Sequence, residues 1–283
     1  MFKRLLFIFV LSTGIFQCLS EDADECDPTS LVSIRKKGNN ETVHVSGGIS
    51  LSLNWVITVA DLFHKEEAED LFIGTGPEIV KNLLNYRGQL YAVTSIVIHP
   101  QFNESSLANN LAMLYIKNPL KHVTPARIPE TELEEDITFT FCKTDTSLIK
   151  WTLTENFLEL VCQYVGFPNF YDCIEKYKNA NKFEVTEIEH ECLDDAENRS
   201  GEEIIFSEKG LPLFCNDTLM AISSFRLNNY PLVISRLDRH LEFIKESMES
   251  EDDTNENALK AMRNNVGRMV FNRLLLLLLF VRN

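Results

Sequence analysis

Apolar runs of five to eight residues punctuate this chain, and turn-forming clusters separate them. Val43–Ile49, Trp55–Val59, Tyr91–Ile98, Leu111–Ile116 and Leu219–Phe225 are rich in β-branched and aromatic residues. Runs of that length and composition read as strands, being too short for ordinary helices. Lys37-Gly38-Asn39-Asn40 and the stretch from Asp194 to Gly201 supply turns. Leu237–Met248 is different: Leu241, Phe243, Ile244 and Met248 give a helical pattern. Glu155–Cys162 and Tyr171–Asn181 fit either state, and no internal repeat is visible. The expectation is an all-β domain with a C-terminal helix. A 283-residue chain with 45% hydrophobic content has enough apolar mass for a large core.

The N-terminus points to export. Met1-Phe2-Lys3-Arg4 is basic, Leu5 to Phe16 is apolar, and Cys18-Leu19-Ser20 places small residues where a signal peptidase reads. About twelve apolar residues are too few to span a bilayer. Glycosylation sequons begin at Asn40, Asn103, Asn198 and Asn216. The formal charge is −15, and losing Lys3 and Arg4 with residues 1–20 leaves −17. Such acidity argues against nucleic acid or an anionic membrane as partner. No Cys-x-x-Cys or Cys-His cluster suggests a metal, and no cofactor is expected.

Four ordered blocks carry a family resemblance. Ile205-Phe206-Ser207-Glu208-Lys209-Gly210-Leu211-Pro212-Leu213-Phe214-Cys215 resembles the Gly-Asp-Ser-Gly-Gly-Pro-Leu-Val-Cys stretch of trypsin-like serine proteases, with Lys209 at the nucleophile. Ser46 to Leu62 is similar to the block ending Ala-Ala-His-Cys, with Asp61 at the catalytic histidine. His99-Pro100-Gln101-Phe102-Asn103 and Asn109-Asn110-Leu111-Ala112-Met113-Leu114 resemble the region of the triad aspartate, where Asn110 stands. Pro231 to Arg236 and Leu241 to Lys245 resemble the last strand and terminal helix. Together they cover roughly residues 26–248. The resemblance implies two six-stranded antiparallel Greek-key barrels. It divides the chain into a signal peptide (1–20), a homology domain (21–248) and a foreign tail (249–283).

What it implies chemically is a loss. Acyl transfer by such a triad needs a nucleophile, an imidazole base and an orienting carboxylate. Lys209, Asp61 and Asn110 supply none of them at its place. Ser207 replaces an oxyanion-hole glycine whose backbone freedom serine lacks. Nothing between Glu21 and Cys26 resembles the activation segment. Glu208 takes the place of the aspartate that pairs with the new N-terminus, so its expected partner is Lys209 or Arg226, in a zymogen-like cleft. Arg226 stands where a glycine opens the specificity pocket, and is expected to fill that entrance. Glu203 falls at the specificity-determining position, and reads better as a surface residue than as a relic of basic-residue preference.

Disulfides implied by the resemblance are Cys142–Cys215, Cys173–Cys192 and Cys26–Cys162. Ser46 and Leu62 replace both halves of one further bridge, and Ile205 one half of another, with no cysteine after Cys215 to be its mate, so losses come in pairs. Exported proteins meet the oxidising conditions such bridges need. Beyond Met248, an acidic linker (Glu249 to Asn257) leads to an apolar run at Leu274–Val281, bracketed by Arg273 and Arg282. That run is too short to cross a membrane, and Arg268 and Arg273 interrupt it as a GPI signal. A docking helix and a cleaved or disordered end are the remaining readings.

The expected function is a non-catalytic, secreted protease homologue that binds proteases, inhibitors or other extracellular factors. Insect homologues of this kind imply roles in reproductive fluids or immune cascades. With Cys26 the only cysteine between the leader and the first matching block at Ser46, no clip-type module is visible, which tilts the expectation toward reproduction. The competing reading is an active endopeptidase using Ser207; no histidine replaces the one lost at Asp61, and His64, three residues on, is too far along that loop to stand in for it. Asp61 with Glu208 as a glycosidase pair, and Lys209 as a nucleophile, have no supporting geometry in the sequence.

Overall fold

The computed structural model describes residues 28–38, 41–76, 86–133, 146–154, 157–165, 167–180, 183, 185–186, 189–193, 209–215, 217–227 and 230–250. Strands β1 (Leu31–Lys37), β2 (Thr42–Ser50), β3 (Trp55–Thr58), β4 (Leu71–Gly74), β5 (Leu90–Ala92), β6 (Ser95–Ile98) and β7 (Ala112–Tyr115) form the first sheet. The second holds β8 (Thr146–Thr154), β9 (Phe157–Tyr164), β10 (His190–Leu193), β11 (Pro212–Cys215), β12 (Thr218–Phe225) and β13 (Leu232–Arg236). Every strand pair is antiparallel.

The first sheet runs β5-β4-β1-β2-β3-β7-β6. Its two outermost strands are consecutive in sequence, joined only by Val93 and Thr94. That connection reaches about 10 Å, so the sheet's ends must meet and the sheet closes on itself. Val93 N–H donates back to Leu71 of β4 at 3.0 Å, and Thr94 N–H donates onward to Tyr115 of β7 at 2.9 Å. The single strand expected over Tyr91–Ile98 is thus corrected to two. A bend changes its partner from β4 to β7, and one bent stave closes a six-stave barrel. The second sheet runs β10-β13-β12-β11-β8-β9. The ambiguous Glu155–Cys162 segment falls mostly in β9, whose ladder with β8 extends from Ser147–Tyr164 to Thr154–Phe157.

Why the central runs are apolar throughout follows from their two buried faces. On β3, Val56 faces the barrel interior with Ile34, Leu71 and Leu114. Its neighbours Trp55 and Ile57 face the other way, packing with Met113, Leu219, Ile222 and Phe243. Alternation of period two therefore sends successive residues into two different cores, and neither face needs polar residues. A further core in the second sheet gathers Leu148, Leu213, Ala221 and Ile234.

Helix α1 (Phe170–Ala180) is tied to β10 by the Cys173–Cys192 disulfide and buries Tyr177. The terminal helix is displaced from the expected Leu237–Met248. Leu237 is pinned to Met220 by a 2.9 Å backbone hydrogen bond, a 3-10 turn fills Asp238–His240, and α2 spans 241–250. The leader, the tail beyond Ser250 and the expected partners Cys26 and Cys142 lie outside the described residues. Cys162 is described in its backbone alone, and Cys215 is disulfide-bonded.

Candidate functional site

Where the two sheets meet, a glycine contact sets the geometry. Gly210 has φ +71°, and a Cβ there would stand 2.2 Å from the Gly47 carbonyl oxygen. Only glycine permits both the left-handed backbone and the approach. Gly47 N–H donates to Lys209 O at 3.2 Å, and Gly210 N–H donates to Ser223 O at 2.8 Å. The turn bearing Lys209 is thereby held between β2 and β12. Ser46 is fully buried and donates to the Gly47 carbonyl at 3.0 Å.

On the other side, the turn after β3 presents Asp61. Asn110, fully buried ahead of β7, accepts the N–H groups of Ala60 and Asp61 through Oδ1 at 2.9 and 2.8 Å. These two donors fix the amide's orientation. Its Nδ2 therefore faces the cleft, donating to Asp61 Oδ1 at 3.2 Å and to Ser224 Oγ at 3.1 Å. Lys209 Nζ completes the series by donating to Asp61 Oδ2.

Asp61, Asn110 and Lys209, far apart in sequence, thus form one connected polar chain ending on Ser224. Its ion pair is shielded, with side-chain exposures of 13% for Asp61 and 25% for Lys209. Desolvation makes such a pair costly to break from one side. The chain holds an ammonium, a carboxylate, a carboxamide and a buried hydroxyl, and no imidazole. Within it no hydroxyl meets an imidazole, the contact on which a Ser-His-Asp triad depends. Among the described residues, hydroxyls meet imidazoles at Ser33–His44 and Thr186–His190, and neither pair touches this chain.

His64 is turned elsewhere. Its Nδ1 lies 3.1 Å from the Asp61 carbonyl oxygen, its Nε2 lies 3.4 Å from Glu104 Oε2, and its ring tilts against Phe102. Lys65 also pairs with Glu104. Arg226 is half-buried beyond the end of β12, within electrostatic reach of the Tyr177 phenol. Burial pushes that phenol up to about 12, and its hydroxyl donates to Pro231 O at 2.7 Å. The expected pairing of Glu208 with Lys209 or Arg226 involves a residue outside the described ones; among the described residues Lys209 contacts Asp61, across the cleft. Glu203, Ser207 and Glu208 lie outside the described residues, as do Asn40, Asn198 and Asn216. Asn103 is exposed, with Oδ1 accepting Ser105 N–H at 2.9 Å.

Ser224 is the member that sequence reasoning misses. A serine in an apolar strand carries no signal of its own. Its role arises from the register shift between Ser223 and Phe225, beside which its hydroxyl meets Asn110. Among the described residues no cluster of His, Cys, Asp and Glu is arranged to hold a metal, and no helix is long and apolar enough to cross a membrane.

Comparison with known proteins places this geometry. Two solved structures share the fold: scabies mite inactivated protease paralogues S-I1 and S-D1, with TM-scores of 0.60 and 0.62 and identities of 19% and 20%. Each alignment covers 78% of this chain, and 95% and 92% of theirs. A trypsin of Phaedon cochleariae is 30% identical over 91 residues, and one of Simulium vittatum 28% identical over 151. Those matches cover 30% and 51% of this chain, and 34% and 57% of the two trypsins. Kallikrein 1-related peptidase b22 of Mus musculus is 24% identical over 225 residues, covering 72% of this chain and 80% of its own. The sequence model of the trypsin family matches residues 22–244. With that match over most of its length, and a chymotrypsin-like pair of sheets around the site, the chain belongs to the trypsin family.

Proposed function

We propose that this protein is a secreted pseudoprotease: a trypsin-family chain that performs no proteolysis and acts as a binding partner or cofactor in an extracellular protein network. The observation that carries the reading is the Lys209–Asp61–Asn110 linkage. Each triad position is filled by a residue of the wrong chemistry, and the three satisfy one another. A hydroxyl nucleophile would need an imidazole in contact with it, and an imidazole would need a carboxylate behind it. Among the described residues, no hydroxyl of this cleft meets an imidazole. The neighbouring fold of two proteins described as inactivated protease paralogues supports the same reading.

Its partners are secreted proteins, namely proteases, inhibitors or other extracellular factors. A reproductive fluid or an immune proteolytic cascade is the setting the family resemblance implies. Homology domain 21–248, a removable leader and an extracellular address complete the proposal. A fluorophosphonate probe, run beside active trypsin on the purified secreted chain, tests it. No covalent adduct and no cleavage of a peptide library are expected. Stoichiometric labelling at Ser207 would replace this reading with a displaced-triad endopeptidase.

A further inference from the structure

Three buried histidines lie where the first barrel, the second sheet and the terminal helix converge. His99 follows β6, His190 opens β10, and His240 closes the turn before α2. His99 Nε2 lies 3.4 Å from His240 Nδ1, with ring centroids 5.1 Å apart. Phe243 of α2 packs on His99, and Phe225 of β12 packs on His190.

The hydrogen bonds fix how each ring carries its proton. Gln101 N–H donates to His99 Nδ1 at 3.2 Å, so the His99 proton sits on Nε2 and is given to His240 Nδ1. His240 therefore carries its proton on Nε2, which has no partner and is buried. Thr186 N–H donates to His190 Nδ1 at 3.3 Å, leaving His190 Nε2 equally buried and unpartnered. A second proton on His99 or His240 puts an N–H against a group that is already donating, Gln101 N–H for the one and His99 N–H for the other. One on His190 meets the Thr186 N–H at 3.3 Å, with the Thr186 hydroxyl 3.5 Å away to accept it.

The nearby charges offer no relief. Glu189 Oε2 is engaged by Asn109 N–H, and Asp238 is clamped by Arg236 and faced by Arg239. Glu191 accepts Cys192 N–H, while Glu242, Lys245 and Glu246 of α2 are exposed. His240 also precedes the N-terminal end of α2, where the helix dipole opposes added positive charge.

We propose that the His99–His190–His240 cluster is an acid-sensitive joint, whose protonation releases α2 and the loop bearing Asn110 from one another. Burial supports the direction, holding His240 at about 3, with His99 and His190 adding repulsion, and His190 at about 4; His99 is lowered as well. The docked state refuses protons that the released state binds near the ordinary value of about 6.5. Docking is therefore complete above that pH and weakens as pH falls through it. At pH 4.5 the released state gains about a hundredfold through His240 and nearly as much through His190.

Hydrogen exchange on the full secreted chain tests this. Between pH 7.5 and 4.5, after correction for intrinsic rates, amides of α2 are expected to lose about a thousandfold or more of their protection, while those of β3 and β7 keep theirs. The double variant His190→Leu/His240→Phe is expected to remove that difference. Equal loss across β3, β7 and α2 would overturn the joint, as would an unchanged response in a folded double variant. Should that variant not fold, the imidazole resonances of the unaltered protein decide. Rings silent down to pH 5 support the proposal, and titration near 6.5 without loss of α2 protection overturns it.

Discussion

Lys209 and Asp61 face each other across the junction of the two sheets, joined by an ion pair between the turn that follows β3 and the turn that precedes β11. The pair is anchored on both sides. Asn110 holds the Asp61 carboxylate, and the Gly47–Gly210 contact holds the Lys209 turn. The cleft is thus occupied by its own side chains.

Removing one partner of this pair leaves the other shielded and uncompensated. Lys209→Met is expected to lower stability by about 1–3 kcal/mol, less than a fully buried pair because both groups keep some solvent. Adding Asp61→Leu is expected to recover part of that loss. Urea midpoints of the two single variants and the double variant give the coupling directly.

Asn110 carries more than the cleft contact, since it accepts two buried backbone donors. Asn110→Ala orphans both, and should cost about 2–6 kcal/mol, from roughly 1–3 for each donor left unsatisfied. Ser224→Ala removes one neutral contact and should cost about 1 kcal/mol. Thermal unfolding that ranks the two variants in the opposite order would contradict this account.

Gly210→Ala tests the close approach. Its Cβ meets the Gly47 carbonyl at 2.2 Å with φ at +71°, so both sterics and backbone conformation oppose it. A loss of about 2 kcal/mol or more is expected. Loss of exchange protection at the Lys209 turn locates the damage.

The Cys173–Cys192 bridge closes a loop of 19 residues. Its removal as Cys173→Ala/Cys192→Ala should cost about 3 kcal/mol by the chain-entropy relation. Denaturation beside the unaltered protein measures it.

Acid weakens the first barrel through His44. Burial, then the neighbouring Arg35, hold this imidazole down to about 3. The unfolded chain binds a proton below about pH 6.5 and the folded chain does not, so stability is whole above that pH and falls toward pH 3. Replacement as His44→Val should flatten this dependence by roughly 3–5 kcal/mol across the interval. Urea midpoints at pH 7.5, 5.5 and 4 read the slope.

Alternating runs, turn clusters and ordered blocks determined the all-β class and the family. Those features are local, and local patterns survive in a linear string. Strand β9 and the break at Val93–Thr94 were not legible. Both depend on which partner a backbone N–H meets, and that is fixed only by pairing. The same holds for the site. Sequence placed Asp61, Asn110 and Lys209 in separate blocks, whereas their union into one hydrogen-bonded chain, and the recruitment of Ser224, were decided by the tertiary fold. Side-chain chemistry is written residue by residue, but the shielding and orientation that make an ion pair or a trapped imidazole matter arise only when distant segments exclude water together.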